Sequence, residues 1–190
     1  MSLKITYNSP VVLTFSLICA GVLITSIYLQ DLTAYLALDG RFDWASASGY
    51  LNLFTYPFVH ATSSIPGQSD FGHFLGNFTI LLLIGPVVEE KYGAKRLILM
   101  MAVTSVATGL ISIIFTNDVI LGASGLAFMM IILGSFTNYS KGDLPMTFII
   151  ICIFFLGSEV IGSFQKDNIS QFGHIAGGII GAVFGFRYSR

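Results

Sequence analysis

RLILMMAVTSVATGLISIIFT, residues 96–116, places one charge at its first position, Arg96, and none in the rest of the run. Roughly 20 apolar residues are what a helix needs to cross the hydrocarbon core of a bilayer. Working outward, comparable runs lie at about 11–29, 72–88, 119–137, 145–163 and 170–187, with polar breaks between them. The pattern predicts an all-α membrane protein with six transmembrane helices in one domain spanning 1–190. Composition agrees, because only 10% of the 190 residues are charged, against about 25% in soluble domains.

The same numbers exclude several classes. A net charge of -1, with no basic arm, gives no reason to expect nucleic acid. Lys4 ahead of an apolar run resembles a signal peptide, but 11–29 exceeds the roughly 7–15 residues of such a segment and reads as the first span. Cys19 and Cys152 sit inside apolar runs and suggest no disulfide framework.

One long connection, 30–71, separates the first two spans; connections of that length are usually functional or partly membrane-embedded. With the N-terminus cytoplasmic, Lys4, Lys91, Lys95, Arg96, Lys141, Arg187 and Arg190 fall inside, and only Arg41 and Lys166 outside. That asymmetry predicts cytoplasmic N- and C-termini. Spans two, four and six then start in the outer leaflet.

Polar side chains inside spans are costly and point to function. His73 and Asn77 in span two, Ser124 in span four and His174 in span six each lie near the outer start of an even-numbered span. His73 and Asn77, four apart, share a helix face. Ser124 stands between small residues in Gly122-Ala123-Ser124-Gly125, which lets another backbone approach its hydroxyl. Gly173, Gly177, Gly181 and Gly185 recur every four residues on span six, and Gly178 and Ala182 continue the row that starts at His174. Such a small-residue face admits a neighbouring helix at close range. If that neighbour is span four, His174 can take the proton of Ser124.

Taken singly, each residue has an ordinary reading: a membrane serine usually bonds back to its own helix. Nucleophile, base and oxyanion donors at one depth are what shift the balance toward catalysis. Glu159 in span five reads as a snorkelling or water-facing carboxylate. No His-Glu-x-x-His is present and no span contains an Asp, so neither a zinc protease of that type nor an aspartyl dyad fits. Neither metal nor cofactor is expected. A small-solute transporter is disfavoured by the lack of an internal repeat.

At this point the motifs resemble a known family. Leu53-Phe54-Thr55-Tyr56-Pro57-Phe58-Val59-His60, His73-Phe74-Leu75-Gly76-Asn77, Val88-Glu89-Glu90-Lys91-Tyr92-Gly93, Gly122-Ala123-Ser124-Gly125 and Gly173-His174-Ile175-Ala176-Gly177 through Gly181 are similar, in order, to motifs of the rhomboid intramembrane proteases. The resemblance implies a serine endopeptidase with a Ser124–His174 dyad. It implies an oxyanion hole of His73, Asn77 and the Ser124 backbone N–H, with Gly122, Gly125, Gly177, Gly178 and Gly181 supporting the site. Phe128 would lie beneath the imidazole of His174, where relatives often carry Tyr, and 162–171 would cap the cavity. Substrates would be transmembrane proteins embedded, like the enzyme, in a lipid bilayer, and the lack of any further domain suggests a prokaryotic inner membrane. Two features depart from the family pattern: Gly49-Tyr50-Leu51-Asn52 stands where many members carry a Trp-Arg pair, and the segment from His60 to His73 is longer than usual. A non-catalytic rhomboid-like protein is the main rival, although its usual mark, loss of the serine or the histidine, is missing.

Overall fold

In the computed structural model, which describes residues 4–29, 31–60, 71–137, 143–157 and 171–188, Pro10 opens α1 (Pro10–Tyr28) at the helix position that needs no N–H. The next two amides, of Val11 and Val12, each donate to a carboxylate oxygen of Glu89 at 3.0 Å. Glu89 belongs to the end of α4 (Phe71–Tyr92), so a buried charge neutralises the positive end of α1 and ties the two helices. Two residues on, Lys91 Nζ donates to the carbonyls of Phe136 and Thr137 at 2.7 and 2.6 Å, closing the C-terminal end of α6 (Ser124–Ser135). Gly93, at φ 81°, turns the chain from α4 into α5 (Ala94–Phe115) in a conformation that side-chain-bearing residues avoid. The 89–93 stretch thus joins one end of four helices.

The connection between the first two long helices is itself structured, with α2 (Asp31–Leu36), α3 (Ala47–Thr55) and a 3-10 turn (Tyr56–Phe58). Leu38 and Ile120 exchange backbone hydrogen bonds of 2.9 and 2.8 Å, and with Leu53 and Tyr56 form a small core of their own. In a loop that lacks the Trp-Arg pair, anchoring falls to Asn52 Nδ2 on the Ala37 carbonyl, Thr55 Oγ1 on the Leu36 carbonyl and Ser105 Oγ on the Leu53 carbonyl, each at 2.8 Å.

α1, α4 and α5 are long and apolar enough to cross a membrane; α6 is apolar but shorter. Within the 119–137 run, the helix occupies only 124–135, because 119–123 is spent on the Leu38–Ile120 pairing and on a turn at Gly122. α6 is central: Leu126, Ala127, Met129, Met130, Ile131, Ile132 and Leu133 are all buried, as expected of a helix apolar on every side. In α1 and α5 the pattern is inverted, and Leu17, Ile24, Ile98, Leu99 and Ile114 face outward. Exposed apolar surface on this scale suits lipid, not water.

α7 (Met146–Ile151) continues into a π-helical stretch, Cys152–Leu156, and α8 (Gln171–Tyr188) closes the bundle. α8 packs on α6 through its glycines. A Cβ at Gly177 would collide with the Gly125 carbonyl oxygen, one at Gly181 would lie 2.7 Å from the Met129 carbonyl oxygen, and one at Gly185 would lie 2.5 Å from the Phe136 ring. Glu159, the segment 62–70 and all of the expected cap except Gln171 fall outside the described residues.

Candidate active site

Ser124 is the first helical residue of α6, preceded by Ala123 at φ −87°, ψ 9°. Its N–H therefore has no carbonyl within the helix to bond to, and it lies at the positive end of the helix dipole. The turn that delivers it depends on Gly122, which sits at φ 103° and whose missing Cβ would come 3.0 Å from Cε1 of His73. Glycine is required there both for backbone conformation and for space. The Gly122 N–H donates to the Tyr56 carbonyl at 3.1 Å.

His73 and Asn77 occupy successive turns of α4. His73 is exposed and lies against Gly122, whereas Asn77 is 5% exposed. The buried Nδ2 of Asn77 has no hydrogen-bond partner among the described residues. An orphaned amide donor costs roughly 1–3 kcal/mol and, in a folded protein, invites a functional explanation.

His174 stands in the first turn of α8, buried. Its ring stacks on Phe128, one turn beyond Ser124, with centroids 4.5 Å apart and planes 8° from parallel. Phe155 meets the Phe128 ring edge-on at 6.2 Å, and Phe172 stacks on Phe115 at 4.8 Å, fastening the start of α8 to the end of α5. α6 and α8 meet beside the candidate pair: a Cβ at Gly177 would collide with the Gly125 carbonyl oxygen, and one at Gly125 would lie 3.5 Å from the Gly173 carbonyl oxygen. Gly125, Gly177 and Gly181 all lie in this contact, and Gly178 is buried on the same helix.

Behind the turn, Tyr56 donates its hydroxyl to the Ser105 carbonyl at 3.0 Å and shares a 2.5 Å bond with Thr108 Oγ1. Burial pushes its phenol up to about 12, so it remains a donor. His60 is 1% exposed, and its Nε2 accepts the Ala123 N–H at 3.4 Å. Burial first, then repulsion from His73, push the His60 imidazole down to about 4; an attraction toward the Phe58 backbone opposes this without closing a well-formed hydrogen bond at Nδ1. In the sequence Tyr56 and His60 stand in a family-like motif, His60 also at the start of the long segment to His73, and neither receives a role there. The available signal was a histidine directly following apolar Phe58-Val59, since burial of such a ring demands a partner.

Fold and site together define a helical integral membrane protein whose polar side chains gather around one end of a central helix. The Rhomboid domain profile matches residues 47–190, and the chain belongs to the rhomboid family. Rhomboid protease GlpG of Haemophilus influenzae is similar to it, at 23% identity over 117 residues that cover 60% of this chain and 61% of that protein. The shared region thus spans less than two thirds of the relative's length.

Proposed function

We propose that the chain is an intramembrane serine endopeptidase with six transmembrane spans and cytoplasmic termini, cutting transmembrane proteins near the outer face of a prokaryotic inner membrane. One observation carries the reading: α6 and α8 meet at Gly125 and Gly177, which sets the turn bearing Ser124 beside the helix whose His174 stacks on Phe128. The Nδ2 of Asn77 supports it, because a buried donor with no partner among the described residues is suited to an acceptor that forms during reaction.

In this mechanism His174 takes the proton of Ser124 Oγ as the oxygen attacks the scissile carbonyl. Negative charge collects on the carbonyl oxygen, where His73, the Asn77 amide and the Ser124 N–H donate to it. His174 then hands its proton to the leaving amine and an ester to Ser124 remains. Water, deprotonated by His174, attacks the ester and restores the hydroxyl. The substrate backbone must unwind to reach the serine, which favours segments rich in small, helix-breaking residues.

The test is labelling of the purified chain by a fluorophosphonate probe, alongside cleavage of single-span proteins in liposomes. Wild type should be labelled and active, and Ser124→Ala neither. Labelling that survives Ser124→Ala sinks the assignment, and a chain that binds membrane helices without labelling is the non-catalytic rival.

A further inference from the structure

The Tyr56–His60 segment meets the turn ahead of Ser124 at two consecutive amides. Tyr56 takes the Gly122 N–H on its carbonyl at 3.1 Å, and His60 takes the Ala123 N–H on Nε2 at 3.4 Å. The next amide in line is that of Ser124, where the helix begins. With 122 and 123 occupied from behind, the turn has little freedom to rotate the Ser124 N–H away from the site.

The same imidazole also faces α4. Its ring meets His73 at 5.9 Å, Phe74 at 5.2 Å and Phe78 at 5.4 Å, each edge to face. His73 in turn lies over Gly122. His60 therefore touches both the backbone leading to Ser124 and the ring of His73. A bond of 3.4 Å is long, so it orients the amide together with the edge-to-face contacts that fix the same ring against α4. Accepting through Nε2 requires a neutral ring with its proton on Nδ1, the state that burial beside a second histidine enforces.

We propose that His60 is a positioning residue of the oxyanion site, holding the Ala123 amide and the His73 ring in register so that the donors on α4 and α6 converge. The proposal rests on the reading of Ser124 as nucleophile. The same segment supplies a structural reason for the burial of His60, since an apolar residue would leave the Ala123 amide unpaired in a water-free interior.

The experiment compares wild type, His60→Gln, His60→Asn and His60→Leu as full chains in detergent, keeping those whose helical circular dichroism and thermal transition show them folded. Two quantities are read: the rate of Ser124 phosphonylation by a fluorophosphonate probe, and hydrogen exchange at the Ala123 amide. Gln reaches as far as Nε2, whereas Asn is too short and Leu cannot accept. We expect His60→Asn and His60→Leu to expose the Ala123 amide and slow phosphonylation about 10- to 100-fold, with His60→Gln within about threefold of wild type. Wild-type rates, or a still-protected amide, in a folded Asn or Leu variant overturn the role of His60 alone. An unlabelled wild-type chain overturns the protease reading and the oxyanion role of His60 with it.

Discussion

Asn77 shows how much a single side chain can carry. Its buried Nδ2 has no hydrogen-bond partner among the described residues, so its truncation should remove a donor that matters only when charge develops. Asn77→Ala is expected to lower the rate of cleavage about 100- to 1,000-fold with little change in stability, as read from turnover in liposomes beside thermal unfolding. Equal turnover would assign the amide elsewhere. His60 supplies a pH dependence. The unfolded chain protonates this ring near its ordinary 6.5, the folded chain only near about 4. Between those values the unfolded state holds more protons, so its contribution to stability is complete above about 6.5 and declines as pH falls toward about 4. Thermal unfolding in detergent from pH 4 to 7 should show this slope in wild type and a shallower one in His60→Gln; identical slopes would remove His60 as the cause.

At the level of helices, the glycines separate into two kinds. Gly177 lies against the Gly125 carbonyl, a backbone group that cannot swing aside, whereas Gly21 in α1 has nothing within 4 Å of its missing Cβ. Gly177→Ala should force α6 and α8 apart, destabilising by about 1–3 kcal/mol and abolishing fluorophosphonate labelling, while Gly21→Ala should be neutral or stabilise by up to about 1 kcal/mol. Comparable midpoints and labelling for the two variants would contradict the close crossing. Glu89 works at the other end of the bundle. Its carboxylate receives two amides of α1, so Glu89→Ala should cost about 1–2 kcal/mol, as for loss of a helix cap. The check is a lowered thermal midpoint with labelling retained below it. The small-residue row on α8 is legible in the sequence as a packing face, because its period of four matches the helix. Its partner was a conditional, and the cap formed by Glu89 was invisible, since nothing near residue 89 in the chain shows which helix start it will meet.

For the whole molecule, the arrangement of lysines and arginines predicts sidedness. Asp43 lies in the structured loop and Glu90 at the end of α4, both exposed. An impermeant maleimide added to intact cells should therefore modify Asp43→Cys and not Glu90→Cys; the reverse pattern would invert the proposed topology. The amino-acid sequence by itself determined that the chain is a helical membrane protein and which polar residues stand near the helix ends, because hydrophobicity and helical period are properties of neighbouring residues. It also carried the order of motifs by which the family resemblance was recognised. Only the tertiary structure decided that α6 starts at Ser124 and not several residues earlier, that the loop is anchored by Asn52, Thr55, Tyr56 and Ser105 in place of a Trp-Arg pair, and that His60 grips the Ala123 amide. Each of these depends on groups far apart in the chain: His60 and Ala123 are separated by 63 positions, and Glu89 and Val12 by 77. Such pairs are made by how the helices cross, and no local pattern of residues encodes that crossing.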